Sequence, residues 1–480
     1  MKRYKPLTGR VRAAAWVAAA ALVPALGACS EVTDTLLDAV DPDVISPENA
    51  QSAEGARSLY TGALSRLRLI ASGVGGEGST WLFGGLLTDE WSTSSTFVQN
   101  DETDLRAIQI NNGTVNTMFR QLARARTSSN EAIRVMKRFR ETETTRIAEL
   151  YFVRAFAEMQ LANDFCNGIP LSGLDSTGTI VFDEARPVAY VFTAAVASAD
   201  SGLALIPATA TDSASVTVRN ALRVTKARAQ LGLNQIAEAA TTVNGVPTTF
   251  AYNITYSLVT GDNTLWSQPA SSRRYTIGDS LEGRSANLLV RNAIPFFRAQ
   301  DPRVPSRYTI ATNGRDTTIS QDGLIPSRTT SLWARSTSTP AVSGLDARLI
   351  EAEARVKASD IPGMMTILNA LRSAPPRVGE VQPTPAQLPQ FTPAQTPTTQ
   401  EAAVTLLFRE KAFWTFGRGQ RLGDLRRLIR QYGRTQENVF PVGQHYRGGS
   451  YGTDVNLPVP QSEENNPALG GAPACIDRNA

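Results

Sequence analysis

The chain has 480 residues, of which 42% are hydrophobic and 19% charged; that length suits two or three ordinary domains or one large helical one. Its formal charge of +4 comes from 48 basic and 44 acidic residues, yet Lys2, Arg3, Lys5, Arg10 and Arg12 crowd the start with no acid among them. Without these five the balance is 43 against 44, which excludes a case for a nucleic-acid-binding surface.

The basic start is followed by an apolar, Ala-rich run from Ala13 to Leu26. That is the order of a secretory signal, and it falls short of the ~20 apolar residues of a spanning helix. The run ends in Leu26-Gly27-Ala28-Cys29. Small residues before a cut and a Cys directly after it form the pattern of a bacterial lipoprotein, whose thiol receives a diacylglycerol. The expectation is a signal peptide over 1–28 and a lipidated Cys29. Ser30 follows the Cys, with no Asp to argue for inner-membrane retention, so the outer membrane is expected. Residues 29–47 end in an acidic stretch with Pro42 and Pro47 and read as a tether. Cys166 and Cys475 are then left over. In an exported protein they are a candidate disulfide, the alternative being one buried thiol and one loose tail thiol.

Helical spacing of Ala and Leu predicts helices over 48–70 and 116–165, and a third block over 189–242 broken at Pro207. Further helical segments are expected over 345–372 and 400–431. Between them, 248–340 reads as irregular structure with a few short strands. Residues 373–400 hold seven prolines and almost no charge, so an extended, mobile loop is expected. A weak repeat runs through the helical blocks. Ala155, Ala227 and Ala352 correspond, as do Ala157, Ala229 and Ala354, followed by Met159, Leu231 and Val356. Small residues on one face suit closely packed, tetratricopeptide-like helix pairs, here separated by long inserts.

Five phrases, in order, resemble the SusD/RagB family of outer-membrane nutrient-binding lipoproteins. They are AELYFVRAFAEMQLANDFCNGIPL from Ala148, DPRV from Asp301, RLIEAEARV from Arg348, FREKAFWTFGRGQRLGDLRR from Phe408 and LPVPQSEENNPAL from Leu457. One departure is visible: the family usually has an acid before the late Gly, and here Arg418 precedes Gly419, which puts a local ion pair in doubt. The resemblance implies a mostly α fold in which discontinuous tetratricopeptide-like helix pairs form a scaffold. It implies one α-helical domain over 48–480 with inserts at 71–115, 248–340 and 373–400. It further implies a surface lid on a TonB-dependent, SusC-like transporter that captures an oligosaccharide or a peptide. A repeat-type lipoprotein scaffold for envelope assembly is the alternative.

In the late motif, Arg409, Glu410, Gly419, Arg421, Asp424 and Arg427 are expected to brace a helix hairpin, with Arg421 and Asp424 spaced to pair on one face. Sugar binding asks for flat aromatics and planar polar groups. Trp81, Asp89, Glu90, Trp91 and Phe97, with Gln99 and Asn100, supply both in a Gly/Ser/Thr-rich stretch, and the resemblance places this stretch near the ligand face. Trp266, Tyr275 and Trp333 are further candidates; packing of the loops is the competing reading for all of them. His445 is the single histidine, expected to be exposed or locally bonded. Paired-histidine zinc sites are thereby excluded, and no catalytic residues, metal or cofactor are expected. No nucleophile elbow, P-loop lysine or dinucleotide fingerprint occurs.

Overall fold

A computed structural model describes residues 51–73, 79–175, 179–473 and 475–480. The expected signal peptide, Cys29 and the expected tether over 29–47 lie outside the described residues. The described chain is mostly α, with short two- and three-stranded sheets between the helices.

Helix α1 (Ala53–Ile70) starts at Ser52, whose side chain accepts from the Gly55 N–H. Two short helices, α2 (Thr80–Leu86) and α3 (Val98–Asp104), follow in a stretch that the sequence reading left irregular. The long predicted helix divides into α4 (Gly113–Phe139) and α5 (Thr144–Asp164). Next come α6 (Val188–Leu203), α7 (Ser213–Gly232) and α8 (Ile236–Val243). Then α9 (Gly344–Lys357) and α10 (Ile361–Ser373) form a hairpin, as do α11 (Gln400–Trp414) and α12 (Arg421–Tyr432). The breaks have local causes. Asn234 and Ser359 adopt positive φ between α7 and α8 and between α9 and α10. Ser343 and Asp346 close a capping box at the start of α9.

The repeat alanines explain the packing. Ala155, Ala157, Ala227, Ala229 and Ala352 are fully buried, and Met159, Leu231 and Val356 lie in the same core. Small side chains let α5, α7 and α9 approach their neighbours: α5 packs on α4, α6 and α7, while α8 bridges α7 to α9. One hydrophobic cluster runs from Ala56 through these helices to Val459.

Strand β1 (Trp91–Thr93) pairs antiparallel with β3 (Tyr275–Ile277), so two segments almost 200 residues apart in sequence lie side by side, Trp91 opposite Ile277. Strand β2 (Ala251–Ile254) pairs with β4 (Thr339–Ser343), which leads directly into α9. The proline-rich stretch is pinned, which corrects the expected mobile loop. Asn369 exchanges hydrogen bonds with the Phe391 backbone, the Arg372 guanidinium donates to the Pro389 carbonyl, and Leu388 is buried.

Candidate functional site

The motif residues are buried together and hold one another. Asp301 and Arg303 of the mid-chain phrase pair at 2.7 Å, and Arg303 reaches Glu410 on α11 at 2.9 Å. Glu410 also takes Arg372 of α10 at 2.6 Å. Arg421 forms a two-pronged pair with Asp89, both bonds 2.7 Å. The expected Arg421–Asp424 pair is therefore not made: Asp424 instead receives Lys411 at 2.7 Å and Arg427 at 3.2 Å. Lys411 also bonds Glu353 at 2.9 Å, and Arg427 and Tyr432 bond the same carboxylate. Arg409 alone of this set is exposed. Arg418, the departure from the family pattern, has a distant partner: it pairs with Asp346 at 2.9 Å, and both are buried. Burial alone would raise the Asp346 carboxyl, but Arg418 and Arg228 overcome it and hold the group below its ordinary value.

Most of the aromatic ligand candidates belong to this core. Trp81, Trp91, Tyr275 and Trp333 are at most 2% exposed, and Asp89 and Glu90 are buried with them. Trp91 packs on Phe416 with ring centroids 4.9 Å apart, and Trp333 closes over Gly379 and Gly417. These side chains present no face to a solute; the loop-packing reading describes them. Glu90 accepts from the Gly417 N–H at 3.0 Å through Oε1, and its Oε2 has no partner among the described residues. Burial pushes its carboxyl up to about 8, against the opposing Gly417 bond.

Phe97 and Trp266 remain half-exposed. Trp266 packs on the edge of the core. Phe97 stands at the start of α3, on a face where four segments converge. The Arg274 guanidinium lies over its ring, 3.8 Å from the centroid, and donates to Ser95 Oγ at 3.2 Å. Asp322 N donates to the Ser94 carbonyl at 3.2 Å. Arg447 spans the face: it pairs with Asp101 at 3.1 Å, and also bonds Asp322 and the Ser95 carbonyl. Burial raises the Asp101 carboxyl, with Thr93 and Arg447 opposing. Beside them Val98 is 57% exposed and Gln99 half-exposed, while Asn100 is fully buried with both side-chain amide atoms unpartnered among the described residues. An aromatic ring, two guanidiniums and the Asp101 carboxylate at a surface suit a polyhydroxylated ligand: C–H faces stack on the ring and hydroxyls bond the planar charged groups. The Asp322 carboxylate, only 4% exposed, anchors Arg447.

Of the residues on this candidate face, the sequence reading names Phe97, Gln99 and Asn100 and not Arg274, Asp322 or Arg447. No local signal marks those three, because their neighbourhood exists only once β1 and β3 have paired. His445 sits beneath this face. It is 3% exposed, with Nε2 3.2 Å from Asp104 and Nδ1 accepting from the Arg447 N–H, so it reaches no solute. Among the described residues, no group of three or more His, Cys, Asp or Glu side chains is placed to hold a metal ion.

Cys166 and Cys475 form a disulfide, 2.03 Å between sulfurs. It ties the end of α5 to the C-terminal tail beside Val459, where Leu457 bridges to the backbone of Asp164 and Cys166. Among the described residues no helix is long and apolar enough to cross a membrane.

No protein-family model matches the sequence, and no curated protein does. Solved structures do. A SusD-like carbohydrate-binding protein from Bacteroides fragilis is similar over 88% of this chain and 99% of its own, at 15% identity and a TM-score of 0.60. The surface glycan-binding protein A from Bacteroides uniformis is similar over 87% and 98%, at 15% identity and 0.58. A SusD-like carbohydrate-binding protein from Bacteroides vulgatus covers 88% and 98%, at 13% identity and 0.57. The fold is thus the SusD-like one, shared over nearly the whole length with these proteins.

Proposed function

We propose that the protein is a non-catalytic, lipid-anchored outer-membrane protein that captures a glycan at the Phe97 face and passes it to a partner TonB-dependent transporter. The observation that carries this reading is the likeness in fold, over nearly the whole length, to proteins described as SusD-like and carbohydrate-binding. The convergence of Phe97, Arg274, Arg447 and Asp101, with Asp322 anchoring Arg447, supports the choice of face, since it joins a stacking ring to hydroxyl-binding groups. The Cys29 pattern supports the anchor, and the partner follows from the resemblance of the motifs.

The test is a binding screen of the chain from residue 30 onward, which contains every described residue, against oligosaccharide and peptide pools. Glycan binding weakened about ten-fold or more in Phe97→Ala is the expected result, as for loss of a stacking contact. Binding to no glycan, with co-purification of envelope-assembly proteins, would replace this reading with the scaffold alternative.

A further inference from the structure

A cavity of about 1000 Å³ opens between α10, the start of α9, residues 248–251 and the proline-rich segment, away from the residues of the Phe97 face. That size is at the upper end of small-molecule sites, which are mostly apolar with a few convergent polar groups. One wall is a stripe along the second half of α10, Thr366 and Ala370 beside Ile367 and Leu371, continued past the helix end by Ala374. The opposite wall is built from Pro375, Pro376, Pro383 and Pro385. The bonds from Asn369 and Arg372 that pin the proline segment, with Gln382 donating to the Pro375 carbonyl at 3.1 Å, preform the space.

Its chemistry selects an occupant. Phe250 is the one aromatic among the described lining residues, so the walls lack paired sugar platforms. An extended peptide would bring backbone donors and acceptors that need partners. Yet α10 uses its backbone groups internally, and prolines offer no N–H. An aliphatic chain makes no such demand. The charged lining groups are Arg348, Arg377 and Arg418 against Glu351. Arg418 is 1% exposed and paired with Asp346, yet its Nη1 has no partner among the described residues; Arg348, partly exposed and paired with Glu351 at 2.7 Å, likewise keeps Nε without one. Donor atoms left in this condition favour an incoming acceptor, and a charged one most.

We propose that this cavity binds a medium-chain fatty acid, its hydrocarbon along the α10 stripe and its carboxylate toward Arg348 and Arg418. The site is separate from the glycan face and does not rest on that reading. Calorimetry on the chain from residue 30 onward, with decanoate and 1-decanol as probes, tests it. Decanoate should bind about ten-fold or more tightly than decanol, the worth of one charge-assisted hydrogen bond. Arg348→Gln, at a partly exposed position, should erase that difference and leave decanol binding as it was. Ala370→Trp fills the groove from an exposed helix position and should abolish binding of both with the melting temperature unchanged. Failure of decanoate to bind, equal affinity for decanoate and decanol in the unaltered chain, or binding that survives Ala370→Trp would each overturn the proposal. So would tighter binding of a tri-leucine peptide than of decanoate.

Discussion

Glu90 shows how a residue that looks like a binding group in sequence becomes part of the interior. Its carboxyl is raised to about 8 by burial, while its ordinary value is 4.5. The folded state therefore holds a proton that the unfolded state gives up above that ordinary value. The resulting stability is fully present below about pH 4.5 and is lost as pH rises toward 8, on the order of 1 kcal/mol per pH unit. Asp164, raised to about 7 by burial against the Gln160 bond, acts in the same direction over a lower window. Glu90→Gln should stabilise the protein at pH 8 to 9 and flatten the decline between about 5 and 8, as read by denaturant midpoints across pH. Asp89→Ala should cost about 3–5 kcal/mol, because it strands the Arg421 guanidinium in the core. A loss below about 1 kcal/mol would show that the pair is solvated. Neighbouring side chains in Trp81–Asn100 divide between core and surface, and composition alone does not separate them. A Trp or a carboxylate in a Ser/Thr-rich stretch satisfies the same local pattern whether its partner is a sugar or Gly417.

At the scale of elements, the turn between α11 and α12 depends on two glycines. Gly417 and Gly419 both have positive φ, and a Cβ at Gly419 would stand 2.0 Å from Trp81 Cδ1. Gly419→Ala should thus destabilise by about 1–3 kcal/mol or more through overpacking and backbone strain together, measured by thermal or denaturant unfolding. A neutral outcome would mean that Trp81 can move aside. Helix pairs were legible because their period and their small-residue faces are local properties. The exact breaks at Asn234 and Ser359 were not, since one residue of positive φ leaves little compositional trace. Helices α2 and α3 were missed because seven-residue elements carry too few turns to establish a period. The proline-rich segment was misread for another reason: its order comes from Asn369 and Arg372 on α10, not from its own sequence.

For the whole molecule, the five motif phrases record the contacts that join distant parts of the chain. Arg303 meets Glu410, and Leu457 meets Asp164, across 107 and almost 300 positions respectively. Their order was readable, and the fold class with it; which charge meets which was not, as the displaced partners of Arg421 and Arg418 show. The Cys166–Cys475 bond spans 309 positions. Replacing both cysteines by Ala should cost about 2–5 kcal/mol, with thiol labelling of the unaltered chain finding neither sulfur free.

That bond also has a meaning in time. If the chain is exported from its N-terminus, as proposed, Cys166 would meet an oxidant long before Cys475 arrives. The thiol must wait unpaired while about three hundred residues follow it, and the bond can close only when the tail has emerged. Until Cys475 is present, Cys166 would stay an unpaired thiol, and closing of the bond would mark the docking of the 457–475 segment onto the end of α5.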